Sequence, residues 1–317
     1  MRKYLAITIY IFLSLGAAAQ KLEGTYLVAS RDTCDLYIDH YRPAPDSETR
    51  IGDKEKPTIV FVFGGGFIMG SRNDKFYLPW FKLLTDDGYG VVSVDYRLGL
   101  KGVKMNFDLF HILDSAKNTK KAVDMGVEDV FAAIRYIIDN KDSLGIDPDN
   151  LVISGSSAGA IISLGCMLET CSPTGRTANL PEGFRFKGLM SFAGAIMSDS
   201  GVPEYLSEPG PQLLFHGTDD GAVNYNKTAF GRFGFYGSSA LVKDVFSKKG
   251  YCYQIFRYLG VGHDIAANMV PTWPIQKAFL ETNVVMGKRR IIDATLDDPT
   301  IYRWDQSVTL DKIYNKK

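Results

Sequence analysis

Between Leu151 and Leu168 the chain passes from strand to helix with almost no connecting loop. Leu151-Val152-Ile153-Ser154 is β-prone, Gly155-Ser156-Ser157-Ala158-Gly159 follows at once, and a long apolar helix begins at Ala158. A turn this tight forces its central residue, Ser157, into strained backbone angles. It is tolerated only where the neighbours lack bulky side chains. The hydroxyl of Ser157 would then project from the end of a strand. The next N–H, of Ala158, would point from a helix N-terminus, where negative charge is favoured.

The rest of the chain supplies the sheet that such a turn needs. Thr58 to Phe63 (TIVFVF) and Val91 to Tyr96 read as strands buried on both faces. Asn150 to Ser154, Gly188 to Ile196, Pro211 to Phe215 and Tyr251 to Tyr258 continue the series. Helices are expected over Leu78 to Asp87, from Val127 through Ile138, over Ala158 to about Leu168, Ser239 to Lys249 and Pro274 to Met286. Alternating strands and helices predict an α/β fold, a mainly parallel sheet with helices on both faces. Tyr26 to Ser30 and Cys34 to Tyr41 join by a short turn, which predicts an antiparallel N-terminal edge. Residues 98–125 read as a less regular, lid-like excursion, and residues 288–317 as an appendage with a weak strand at Ile291 to Ala294.

A nucleophilic serine needs a base, and the base needs an orienting acid. His263 stands in a glycine loop just after the Tyr251 to Tyr258 strand. Asp220, with Asp219 as its competitor, stands just after the Pro211 to Phe215 strand. His40, His111 and His216 fall in a strand, in the excursion and at a strand end, and His216 is expected to brace the acid loop. Gly64-Gly65-Gly66-Phe67 follows a buried strand, as a set of inward-facing amides for an oxyanion would. Phosphate-loop readings fail, because Gly70 is followed by Ser71-Arg72 and Met69 stands where a dinucleotide loop wants a small residue.

Taken together, Gly64-Gly65-Gly66-Phe67 with Gly70-Ser71, Asp95-Tyr96-Arg97-Leu98, Glu128-Asp129 with Gly145-Ile146-Asp147-Pro148, Gly155 to Gly159, His216 to Val223 and Gly262-His263 resemble the α/β-hydrolase fold. The resemblance is to hormone-sensitive-lipase-like esterases and type-B carboxylesterases, and it spans about residues 35 to 285. It implies Ser157 as nucleophile, Asp220 as acid and His263 as base, in the order that fold uses. It implies Gly65, Gly66 and Ala158 as oxyanion donors, and no metal or organic cofactor. Two positions depart from the pattern. Phe63 replaces the histidine that usually precedes the glycines, and Ser156 stands where an acidic residue is common.

The first twenty residues read as an export signal. Arg2 and Lys3 precede the apolar run Tyr4 to Leu15, and small residues allow cleavage after Ala19. Residues 20–317 then form a single domain in the periplasm or outside the cell. Four cysteines leave disulfides open, Cys166 with Cys171 among them, beside free buried thiols. Lys plus Arg equals Asp plus Glu at 36 each, so the basic excess of a nucleic-acid binder is missing. The expected activity is a serine esterase working through an acyl-enzyme. An exported enzyme of this kind would be placed to act on small esters or on acyl groups carried by carbohydrate. The rivals are a serine peptidase on the same fold and an inactive binding module. The excursion and the aromatics Tyr225, Phe230, Phe233, Phe235 and Tyr236 are either pocket walls or surface packing.

Overall fold

A computed structural model describes residues 22–108, 110–304 and 308–314. The expected export signal lies outside the described residues. In chain order the elements begin with β1 (Leu22–Ser30), β2 (Asp35–Tyr41), a small hairpin of β3 (Arg50–Ile51) and β4 (Lys54–Glu55), β5 (Thr58–Val62), α1 (Leu78–Asp86) and β6 (Gly90–Val94). Then come α2 (Ile112–Asp139), α3 (Lys141–Leu144), β7 (Leu151–Ser156), α4 (Ala158–Cys171), β8 (Gly188–Phe192), β9 (Ala195–Ser198) and β10 (Gln212–Gly217). A hairpin of β11 (Lys227–Phe230) and β12 (Phe233–Gly237) leads to α5 (Ser238–Leu241), α6 (Ser247–Lys249) and β13 (Tyr253–Tyr258). The chain finishes through α7 (Trp273–Phe279), β14 (Ile292–Leu296) and α8 (Leu310–Tyr314).

Among the described residues nine strands form one sheet in the order β1-β2-β6-β5-β7-β8-β10-β13-β14. β2 runs antiparallel to β1 and to β6, and every other neighbouring pair is parallel. The antiparallel N-terminal edge is therefore as the short first turn implied. Every residue of β6, β7, β8 and β10 is buried. Successive strand residues face opposite sides, so both faces of the central sheet are covered. Around Phe61 of β5 stand Tyr77, Trp80 and Phe81, with ring centroids 4.7, 5.2 and 5.3 Å away. Edge-on contacts of this kind add to the burial energy. Gly126 of α2 meets α4 so closely that a Cβ there would lie 2.5 Å from the Ile162 side chain.

Several elements differ from the sequence reading. The expected excursion is loop only as far as His111, because α2 begins at Ile112 and so includes residues 112–125. Its first turns were hidden because the inward positions are Ile112, Ser115, Ala116 and Thr119, which line a cavity. That face does not need the continuous apolar stripe of a core helix. Gly188 to Ile196 is two strands, broken at Ala193, which takes φ 56°. β9 leaves the main sheet there to pair with β12 in a second sheet, β11-β12-β9. The helices expected over 239–249 and 274–286 each contain a π-helical stretch, Val242–Phe246 and Leu280–Val285. The weak C-terminal strand is real and forms the far edge of the sheet against β13. All four cysteines are free, and α4 runs through both Cys166 and Cys171, which keeps them from pairing.

His40 is one of the few polar side chains inside the antiparallel edge. It pairs with Val92 across to β6, is 2% exposed, and its Nδ1 has no partner. Burial, reinforced by the nearby Arg42 charge, lowers its pKa to about 4. The unfolded chain therefore binds this proton more readily than the fold does. Its contribution is fully present above about pH 6.5 and is lost as the pH falls toward 4, on the order of 3 kcal/mol. His40→Leu is expected to remove that part of the acid sensitivity. Denaturant melts of parent and variant at pH 7 and pH 4.5 check it, the expected result being a smaller stability loss in the variant.

Candidate active site

The turn after β7 is as tight as its sequence requires. Ser157 adopts φ 51° and ψ −118°, outside the usual range for a residue with a side chain. Its N–H donates to the Phe192 carbonyl on β8 at 2.9 Å, which holds the turn against the next strand. Gly159 makes the crossing of α4 over β5 feasible, since a Cβ there would stand 2.0 Å from the Val62 carbonyl oxygen. Ser156, on the other side of the turn, donates its hydroxyl proton to the Ala266 carbonyl at 2.7 Å. That bond ties the turn directly to the short 3-10 helix His263–Ala267.

From Ser157 a hydrogen-bonded chain runs inward. Its Oγ lies 2.7 Å from Nε2 of His263, and Nδ1 of His263 lies 2.8 Å from Oδ2 of Asp220. The other Asp220 oxygen accepts the N–H groups of Ala222 and Val223 at 2.9 and 2.8 Å. An ionised carboxylate only accepts, so Nδ1 carries the His263 proton and Nε2 is left to accept from the serine hydroxyl. Burial by itself would raise the Asp220 pKa. Electrostatic attraction to His263 and hydrogen bonds from His216 and His263 outweigh it and hold the carboxyl well below the usual range. Asp219, the competing acid, is exposed and takes a hydrogen bond from Thr218.

His216 is fully buried behind the acid. Its Nε2 faces two acceptors, the Val223 carbonyl at 2.9 Å and Oδ2 of Asp220 at 3.4 Å, so this nitrogen carries a proton. Its Nδ1 lies 2.8 Å from the Ser238 hydroxyl. The bracing position expected for His216 is thus the one it occupies.

The glycine loop lies beside the serine, with a Cβ built on Gly64 falling 3.3 Å from that of Ser157. The Gly64 N–H donates to the Tyr77 hydroxyl at 3.0 Å. Gly65 takes φ 125°, and a side chain there would meet the Met69 carbonyl at 2.1 Å. Its own carbonyl turns back to accept the N–H groups of Ile68 and Met69. Gly66 and Ala158 share the wall of one cavity with Ser157 and Asp220. None of the hydrogen bonds among the described residues uses the N–H of Gly65, Gly66 or Ala158. Phe63 is buried and stacks on Tyr96 at 4.4 Å between centroids, while the Tyr96 hydroxyl donates to the Phe63 carbonyl at 3.1 Å. Apolar packing and one hydrogen bond from Tyr96 fix the strand end where the resemblance would place a histidine.

The cavity has a volume of ≈ 360 Å³, within the range of small-ligand sites. Its wall is largely apolar, with Phe107, Ile161, Met197, Phe230, Phe233 and Phe235 prominent. Of the aromatics weighed as wall residues, three are on the wall. Tyr225 instead stands against the His216 ring, and Tyr236 is buried under the Lys227 ammonium. The sequence reading missed Tyr77, Ser238 and the segment around Tyr314, because their roles depend on contacts between distant parts of the chain. Among the described residues no group of three or more His, Cys, Asp or Glu is placed to hold a metal. Nor does any described helix have the length and apolar character to cross a membrane.

The family model described as BD-FAE matches residues 47–172. The para-nitrobenzyl esterase of Bacillus subtilis (strain 168) is 31% identical over 140 residues, 44% of this chain and 25% of that protein. The fumonisin B1 esterase of Sphingopyxis macrogoltabida is 29% identical over 148 residues, 47% of this chain and 25% of its own length. The chain thus spans about a quarter of the length of these curated relatives. Among solved structures, a thermophilic esterase from the Planctomycetes species Thermogutta terrifontis superposes with a TM-score of 0.57 at 20% identity, covering 84% of this chain and 95% of that one. The chain has the α/β-hydrolase fold, and both of these curated relatives bear the name esterase.

Proposed function

We propose that the protein is a serine carboxylic-ester hydrolase. The observation that carries this reading is the unbroken relay from Ser157 through His263 to the buried Asp220, at 2.7 and 2.8 Å, opening on an apolar cavity. His263 Nε2 takes the Ser157 proton as Oγ attacks the ester carbonyl carbon. The carbonyl oxygen becomes an oxyanion facing the N–H groups of Gly65, Gly66 and Ala158, the last at the positive end of α4. The imidazolium then returns its proton to the departing alcohol, leaving Ser157 acylated. A water molecule, deprotonated by the same nitrogen, attacks the acyl-enzyme and releases the acid. Asp220 stays ionised throughout and stabilises the imidazolium.

The cavity suits the acyl part of an ester, because its wall offers apolar surface and, among the described residues, Asp220 is the only charged one on it. A carbohydrate-linked substrate would keep its sugar outside this cavity. The peptidase rival would need a holder for a charged chain terminus, and the described residues of the wall supply none beyond Asp220. Export after cleavage at Ala19, with residues 20–317 as one domain, is part of the proposal. N-terminal sequencing of the secreted protein tests it.

Ser157→Ala is expected to abolish hydrolysis of nitrophenyl esters, by several powers of ten, while circular dichroism and melting temperature stay near the parent's. Hydrolysis by the variant at near-parent rate would defeat the reading. A parent active on chromogenic peptides but not on esters would move it to the peptidase class.

Asp220→Asn would present an NH₂ group to Nδ1 and reverse the histidine tautomer, so kcat should fall by about 10⁴. Asp219→Asn, at an exposed position, should stay within about threefold of the parent.

Phe63→Ala would remove the ring beneath the glycine loop. A loss in kcat/KM of about tenfold is expected, carried by kcat, because oxyanion contacts strengthen in the transition state. Steady-state kinetics on a short-chain ester separates the two parameters.

A further inference from the structure

Two neighbouring pieces of chain outside the expected site, residues 301–304 and 308–314, touch its base, acid and glycine loops. Residues 301–304 attach to the base loop, where the Trp304 N–H donates to Oδ1 of Asp264, the neighbour of His263. Tyr302 exchanges two hydrogen bonds with the Asn268 side chain, each at 2.9 Å, and Ile301 is buried. Farther on, Thr309 forms a β-bridge with Gly221, the residue after Asp220. α8 then lays Leu310, Ile313 and Tyr314 on the cavity wall. The Tyr314 hydroxyl donates to the Gly66 carbonyl at 2.8 Å, and its ring stands 5.7 Å from that of Phe107. Gly66 has no room for a side chain, since a Cβ there would meet Ile313 Cγ2 at 2.8 Å.

These contacts have two consequences. Ile313 and Leu310 add aliphatic carbon to the cavity wall, Ile313 beside Gly66. They therefore belong to the surface that a bound apolar group must fit. Tyr314 grips the carbonyl of the peptide unit that follows Gly66, and so restrains the orientation of the Gly66 backbone. Gly66 at φ 62° is free to rotate in a way that other residues are not, which makes an external restraint effective.

We propose that residues 301–304 and 308–314 complete the substrate site of this chain. Ile313 sets the size of the apolar group admitted, and Tyr314 is a positioning residue that acts on the oxyanion loop through Gly66. The proposal rests on the esterase reading for its kinetic consequences, but the Gly66 restraint stands on geometry alone.

The test uses the full chain and three variants, Ile313→Ala, Ile313→Trp and Tyr314→Phe. Nitrophenyl acetate, butyrate, hexanoate and octanoate vary the acyl group at one alcohol, and a set of acetates varies the alcohol at one acyl group. Ile313→Ala should raise the ratio of kcat/KM for the largest over the smallest member of one series by about tenfold, and Ile313→Trp should lower it by a similar factor. Tyr314→Phe should lower kcat by about tenfold with KM within about twofold. It should also speed amide hydrogen exchange across residues 64–70 in the protein without substrate. A merely structural role would lower the melting temperature of these variants and leave selectivity and loop exchange unchanged. Ratios within about twofold of the parent in both series overturn the role of Ile313, and unchanged loop exchange overturns that of Tyr314. A parent inactive on every ester, or an active Ser157→Ala, would instead defeat the esterase reading. The exchange measurement still decides the restraint on Gly66 in that case.

Discussion

The crossing of α4 over β5 is the contact on which the rest of the site depends. The chain reverses at Ser157 within a single residue, and the helix that follows comes so close to β5 that the Val62 carbonyl occupies the place of a side chain on Gly159. Ser157 has no freedom to relax its positive φ, because its N–H is held by Phe192 and its carbonyl accepts the Ile161 N–H of the first helical turn. Strain of this kind persists only where the surroundings over-determine it. Two central strands and the helix do so here. The serine hydroxyl is in consequence presented at a fixed point above the sheet, and the remaining groups need only be brought to it.

They are brought by three loops that are fastened to one another as well as to the sheet. Ser156 binds the base loop through Ala266, and His216 and Ser238 stand behind the acid loop. The triplet Asp95-Tyr96-Arg97 acts at the oxyanion side. Asp95 accepts the Tyr37 N–H of β2 and pairs with Arg72 at 2.7 Å, and Tyr96 holds the carbonyl of Phe63. Arg97 reaches Asp129 on α2 at 2.8 Å, where Arg31 joins from the end of β1 at 3.1 Å. Asp129 is wholly buried, so its charge is tolerable only with these partners in place. Three consecutive residues thus set the positions of the edge strands, the glycine loop and α2, and α2 in turn supplies one side of the cavity.

The cavity itself is assembled from parts far apart in the chain. α2 gives small and hydroxylated side chains, the hairpin of β11 and β12 gives phenylalanines, and α8 gives aliphatic carbon next to Gly66. Because β9 leaves the main sheet after Ala193, the hairpin has a strand to pair with and is held near Asp220 instead of lying on the sheet edge. The relay of donors and acceptors is polar and largely buried, while the wall of the space beside it is largely apolar. This division suits a reaction in which charge develops at one atom while the rest of the substrate remains neutral.

The sequence by itself determined the sheet, the strained serine turn, and the residues Ser157, Asp220, His263, Gly65, Gly66 and Ala158 as candidates. Most of these rest on local chemistry: continuous β-prone apolar runs, small residues around a tight turn, and reactive side chains just past strand ends; Gly65 and Gly66 as the particular donors come from the resemblance. Phe63 was readable as an apolar support, but its partner Tyr96 was not, since stacking depends on the register of neighbouring strands. The start of α2 was hidden because a helix face that lines a cavity lacks a continuous apolar stripe. Local sequence also left open whether Asp219 or Asp220 points inward, the pairing of the cysteines, and which aromatics form the wall. The tertiary structure decided these, by burying Asp220 against two backbone amides and by running α4 unbroken through Cys171. It alone placed α8 on Gly66, because a contact across 248 residues follows from how the sheet returns the chain and not from any local pattern.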